Sequence, residues 1–298
     1  MIKNLAFRLK LAKQKGEAVA IEHQQLTLPI DPFAIANAKD IVVEAKSDAA
    51  GGVSGMLLRH GDNFGIFYAT HIKSKGFQRF SVGHELGHYF LEGHIDHILP
   101  KNGAHVSTAG YASSNPYELE ADNFAAGLLM PSKLFKRAIN RDQIGLEAIE
   151  NLAARCKTSL TATAIRYAEL TEDAVAVILS TGKKIDYCCL SDTMKSLPNL
   201  TWLRNGTPVP GGTMTALHAA DMNFVASGNR QNAEIDIADW FGCSRSLEAN
   251  EEIVGLGSYG KVLTVLSCPN LVDDSYREEF DDEDEDDLIE SWTPRFRK

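Results

Sequence analysis

Apolar residues fall at helical spacing from the start of the chain. In MIKNLAFRLKLAKQKG, Ile2, Leu5, Leu9 and Ala12 lie on one stripe among basic neighbours, which predicts an amphipathic first helix. Pro29, Asp31 and Pro32 begin a short helix, and Ile41, Val42 and Val43 read as a strand. Residues 54–59 and 63–68 read as paired strands across His60-Gly61-Asp62, a hairpin signal. Residues 80–91, FSVGHELGHYFL, return to the helical period. Their apolar stripe, Val82, Leu86, Tyr89 and Phe90, is expected to face a core while the other side looks out. Residues 92–114 show no period and contain Gly93, Pro100, Gly103 and Gly110. They predict an irregular loop, a candidate flap. A second long helix is expected over residues 115–131, capped by Asn115, with Pro116 in its first position and Pro131 as its stop. Helices over 133–140, 146–156 and 160–170 follow, the last capped by Ser159.

From Asp173 the pattern changes to short apolar runs between turns rich in Gly, Pro and Asn. Residues 174–179, 185–190, 222–226, 235–240, 252–256 and 262–267 read as strands, the last two joined by a hairpin at residues 257–260. The expected class is α+β, divided into a first unit over 1–135, a helical segment over 136–172, an α/β unit over 173–270 and a tail over 271–298. From Asp273 onward the tail carries 12 acidic and 4 basic residues, a balance of −8 against −10 for the whole chain. Such a segment repels itself and is expected to be disordered. The body is therefore close to neutral and has no electrostatic footprint for nucleic acid. Helices 146–156 and 160–170 have helix-turn-helix spacing. However, Arg166 is the only cation of the second, and that helix offers no amide side chain to a base edge. There is no apolar run long enough to span a membrane. Five cysteines without a CxxC pair suggest reduced thiols in a cytoplasm.

The chemistry concentrates in His84-Glu85-Leu86-Gly87-His88. Histidines four apart share one helix face and can offer two imidazole nitrogens to one metal ion. Glu85 can reach a water activated by that metal. The bland alternative is a pair of helix histidines satisfied by water, with Glu85 solvated. A catalytic zinc needs a third protein ligand. His94 stands six residues after His88, but the place where a glycine would turn the chain back holds Leu91. On a continuing helix His94 would lie roughly 240° round from His88. The other candidate is Glu118, one turn before Asp122, which would orient a ligand histidine through its second ring nitrogen. Glu118 could instead close a capping box with Asn115. Glu120 lies roughly 200° from Glu118 and is expected on a solvated face. Tyr111, His94 and His105 are candidates for donating to an oxyanion.

FSVGHELGHYFL followed about thirty residues later by ELEADNFAAGLLMP resembles the ImmA/IrrE family of bacterial zinc peptidases. The resemblance implies a zincin-like domain, with His84 and His88 as zinc ligands, Glu118 as the third, Glu85 as catalytic glutamate and Asp122 in the supporting position. It implies a Zn2+-dependent endopeptidase acting on a partner repressor of helix-turn-helix type in a stress, phage or mobile-element switch. Some members carry a GAF-like sensor domain after the peptidase domain, although no motif in the second half is diagnostic. A different expectation is a metal-containing module that grips a partner protein, antitoxin-like or sensor-like, without turnover; the base at Glu85 argues against it.

Overall fold

A computed structural model of the chain describes residues 2–47, 52–99, 102–108, 115–140 and 142–271. The acidic tail and Tyr111 lie outside the described residues.

The first unit opens with α1 (Ile2–Glu22), which runs six residues beyond the stretch read from its period, and α2 (Pro32–Asn37), capped by Asp31. Strands β1 (Val42–Lys46), β2 (Val53–His60) and β3 (Asn63–Ala69) follow. The β2–β3 hairpin is the expected one: His60 pairs with Asn63, and Gly61 supplies the positive φ of its tight turn. Helix α3 (Lys75–Phe90) carries the HELGH stretch and is capped by Ser74. It is followed by α4 (His94–Ile98) and β4 (Asn102–Thr108). Thus the segment read as an irregular flap contains a turn of helix and a full strand. The sequence GAHVST alternates too weakly to announce itself, and pairing with β2 is what orders it. The sheet order is β1-β3-β2-β4, so β4 is an edge.

Helix α5 (Pro116–Leu129) starts as expected, with Asn115 Oδ1 accepting from Tyr117 N. Two helices press on it. α3 crosses one side at small residues: a Cβ on Gly87 would stand 3.0 Å from Ala121 Cα, and one on Gly83 would stand 3.4 Å from Ala125 Cβ. α1 lies along another side, where a Cβ on Gly16 would run into the Phe124 carbonyl and one on Gly127 into the Lys13 carbonyl. Every residue of α3 from 81 to 88 is buried. The reading of α3 as a helix with one outward face is therefore corrected. The sheet covers one side and α5 the other, so the polar face is enclosed as well as the apolar one.

Helices α6 (Ser132–Ala138), α7 (Leu146–Cys156) and α8 (Leu160–Leu170) lead to strands β5 (Val175–Thr181) and β6 (Lys184–Leu190). Then come α9 (Asp192–Lys195), α10 (Met214–His218), α11 (Met222–Ser227), β7 (Arg230–Asp236), α12 (Ile237–Phe241), β8 (Glu248–Gly255) and β9 (Val262–Ser267). The strands form an antiparallel sheet of order β6-β5-β9-β8-β7. Two runs read as strands are helices instead. Residues 222–226 are helical because Asp221 caps the start and Gly228 ends it in the left-handed region. Residues 237–241 are helical for the same reason, between Asp236 and Gly242. Short apolar runs fit either state, and here the caps decide.

The helical segment is built into the second sheet. Phe135, Ile149, Leu152, Tyr167, Val175, Val177, Leu263 and Val265 share one core. Arg166, the sole cation of α8, is buried and donates to the Met130 carbonyl (3.0 Å), to Glu17 (2.6 Å) and to Glu169 (3.0 Å).

The α1–α5 seam tolerates no side chain at its glycines. Gly127→Ala is expected to cost about 2–3 kcal/mol by overpacking. Gly211→Ala, which enters open space, should stay within about 0.5 kcal/mol of the parent. Urea denaturation of the two variants checks the contrast.

Candidate metal centre

Helices α3 and α5 bring three donors to one point. His84, His88 and Glu118 each offer an atom to a group lying within 4.8 Å. His84 Nε2 and His88 Nε2 are 3.1 Å apart. Glu118 places Oε2 3.3 Å from the first and Oε1 3.3 Å from the second. Donors about 2.0–2.1 Å from a tetrahedral zinc would stand roughly 3.3 Å from one another. The observed triangle therefore fits a zinc-sized ion. Asn115 caps α5 through its own side chain, and the Glu118 carboxylate turns toward His84, His88 and His105.

The far side of each ring is also engaged. His84 Nδ1 lies 2.8 Å from Asp122 Oδ1. His88 Nδ1 lies 3.1 Å from His94 Nδ1. Both rings are thereby turned so that Nε2 faces the shared point. His94 is outside the ligand group, in keeping with the sequence argument, but it is not a loop residue on the substrate side. The helix ends at Phe90, and Gly93 at φ 78° turns the chain so that His94 returns behind His88. It is 1% exposed. Its Nε2 meets Glu120 Oε2 at 2.8 Å. Glu120 is therefore corrected from a solvated face to a buried position, 6% exposed, where it also pairs with Arg8. The angular argument correctly placed Glu120 away from Glu118. It missed that α4 and α1 cover that side of α5. The proximity of His94 to His88 in sequence was the available signal.

Glu85 is fully buried, and neither carboxylate oxygen meets a hydrogen-bond partner of ordinary geometry among the described residues. Gly55 on β2 makes room for it: a Cβ there would stand 2.5 Å from Glu85 Oε1. Burial pushes the Glu85 carboxyl up to about 7, against the pull of His84, Ser107 and His105. An unpartnered buried carboxylate is costly unless its site has a use for it. His105, on β4, places Nε2 2.9 Å from Glu118 Oε1. Burial would raise Glu118, but hydrogen bonds from His105, His84 and His88 hold it well below the usual carboxylate range. Burial pushes His88 down to about 3, so it is neutral and free to bind a metal. For His84 burial acts downward too, but the bonds to Asp122 and Glu118 prevail and raise it to about 10. Without a cation, an imidazolium thus balances the carboxylates.

Residues 36–167 match the family model for the IrrE N-terminal-like domain, peptidase M78. A Mycobacterium tuberculosis transcriptional regulator of solved structure shares the fold, with a TM-score of 0.54 at 18% identity over 87% of this chain and 76% of that one. No curated protein matches the chain.

Folding lifts Glu85 from the ordinary 4.5 to about 7, so the folded state holds an extra proton between those values. Stability of the metal-free protein should therefore fall as pH rises through that window. Glu85→Gln removes the titrating group. Relative to the parent it should gain about 3 kcal/mol between pH 4 and pH 8. Thermal melts of both proteins in chelator across this range test the difference, and parallel curves would contradict it.

Proposed function

Since residues 36–167 match the IrrE N-terminal-like domain, we propose that the chain is a zinc-dependent endopeptidase that cuts a partner repressor of helix-turn-helix type. The observation that carries this reading is the convergence of His84, His88 and Glu118 beside the unpartnered carboxylate of Glu85. In it, His84, His88 and Glu118 hold the metal, and Asp122 orients His84 through Nδ1. A zinc ion held there supplies Lewis-acid polarisation of the scissile carbonyl and a water acidic enough to attack near neutral pH.

The remaining steps belong to the protein. Glu85 takes a proton from the attacking water at one of its free oxygens and passes it to the leaving amine. A carboxyl with a raised pKa suits both halves of that transfer. Of the three oxyanion-donor candidates, His94 is turned away behind His88 and Tyr111 lies outside the described residues. His105 sits on the strand beside the site with its Nε2 engaged by Glu118, so none of the three is assigned as the oxyanion donor. Among the described residues, strand β4 has β2 on one side and no strand on the other. An extended substrate segment can pair with that free edge and be drawn past Glu85. Buried Glu85 and the edge strand together support peptide hydrolysis over a metal-gripping role without turnover.

The second unit supports a regulatory reading. Its sheet, numbered within the unit, runs 2-1-5-4-3, and we assign it a GAF-like sensor role. Direct DNA contact is not part of the proposal, because Arg166 is spent inside the protein. Cytoplasmic operation is part of it, in line with five free cysteines.

Glu85→Gln should retain bound zinc while lowering the rate of repressor cleavage by about 10²–10⁴-fold. Incubation of each protein with a purified candidate repressor of helix-turn-helix type, read by gel and mass spectrometry, tests this. Cleavage at the parent rate by the variant overturns the mechanism. Tight complex formation without any cleavage by the parent favours the binding module instead.

A further inference from the structure

We infer that His94 and Glu120, with Arg8 behind them, form a directed hydrogen-bond relay that positions His88 and ties metal affinity to the seating of α1. The inference rests on the metal reading of the site and deepens it.

The ligand role of His88 fixes the proton positions along the line from His88 to Glu120. If His88 offers Nε2 to a cation, its single proton must be on Nδ1. That Nδ1–H faces His94 Nδ1 at 3.1 Å, which must then accept. His94 consequently carries its proton on Nε2, where Glu120 Oε2 waits at 2.8 Å. The other Glu120 oxygen, Oε1, faces Arg8 Nε from α1. His88 donates to His94 and His94 to Glu120, so the line has one direction from the metal to the carboxylate, and Arg8 closes it from the other side as the ion-pair partner of that carboxylate. Tyr117 walls it in: its ring packs edge-on to His94 (5.0 Å), stacks on His97 (4.1 Å) and lies under the Arg8 guanidinium (5.6 Å).

The two ligand histidines are therefore supported unequally. His84 rests directly on the Asp122 carboxylate. His88 rests on a neutral imidazole, and the carboxylate stands one ring further back. A buried His94–Glu120 pair with the partly exposed Arg8 on its outer side contributes little to stability in its own right. Its alignment on the Nδ1 of one ligand gives it a use, because partners in that position typically account for 10–100-fold in metal affinity. These residues touch neither substrate nor reacting atoms and are positioning residues. Arg8 adds an address: it is the one link that belongs to α1, so displacing that helix would loosen His88.

The test measures zinc affinity of the full chain by competition with a chromogenic chelator, and the visible spectrum of the Co2+-loaded protein. His94→Phe should weaken zinc binding 10–100-fold and shift the cobalt bands. His94→Gln, which can still accept from His88 and donate to Glu120, should recover most of the loss. Glu120→Gln and Arg8→Met should give smaller losses, in that order. Melting curves of the metal-free variants separate misfolding from this effect. Should His94→Phe not fold, the near-isosteric Glu120→Gln decides by the same two readouts. If the parent binds zinc and the variants match it in affinity and cobalt spectrum, the relay is overturned and the metal site stands. Equal losses in His94→Phe and His94→Gln also overturn it, since a hydrogen-bonding role predicts rescue. A parent that binds no zinc removes the metal reading and the relay with it.

Discussion

The close approach of α3 and α5 is the constraint on which the site depends. Gly83 and Gly87 on one helix face Ala125 and Ala121 on the other, with a Cβ at Gly87 held to 3.0 Å from backbone. Larger side chains at this crossing would separate the axes by more than a side-chain carboxylate can bridge. Glu118 and Asp122 would then no longer reach the two histidines, both contacts being 2.8–3.3 Å as built. The same helix α5 is pressed from a second side by α1, again at glycines. It is clamped, and its donors inherit that rigidity. Gly87 within HELGH thus serves packing, while His84 and His88 join Glu118 in the donor cluster.

That rigidity carries an electrostatic load. His84, Glu85, His88, His94 and Glu120 are all buried, in a region where unpaired charge is expensive. Nearly all of this load is matched by partners, which fixes ring orientations and tautomers. Glu85 departs furthest, with both carboxylate oxygens lacking an ordinary hydrogen-bond partner and its carboxyl pushed up to about 7 by burial. A buried carboxylate with both oxygens open beside a donor cluster is costly to maintain, and such perturbed groups concentrate at functional sites.

The second unit is joined to this arrangement by packing, not by a tether. Helices α7 and α8 share a core with β5 and β9, and Arg166 of α8 holds Glu17 of α1. α1 in turn supplies Arg8 to Glu120. A continuous set of packed elements therefore runs from the second sheet through α8 and α1 to α3 and α5, a physical route between the second unit and the donor cluster.

The sequence by itself determined the elements with strong local signals and the types of the site residues. The β2–β3 hairpin, α3, α5, α7 and α8 follow from period, caps and turn residues. The i, i+4 histidines and the Glu118–Asp122 spacing follow from helical geometry. Local rules reach a few residues along the chain, and these features are that short. Tertiary structure decided what those rules cannot reach. It made β4 a strand by pairing it with β2, and it enclosed a helix face that the period alone left open. It brought α4 and α1 over Glu120, turning an apparently solvated carboxylate into the partner of His94. It let caps make helices of the two apolar runs after Asp221 and Asp236. In each case the deciding free energy comes from segments distant in sequence meeting in space, and burial, not the residue's own neighbours, sets what its side chain does.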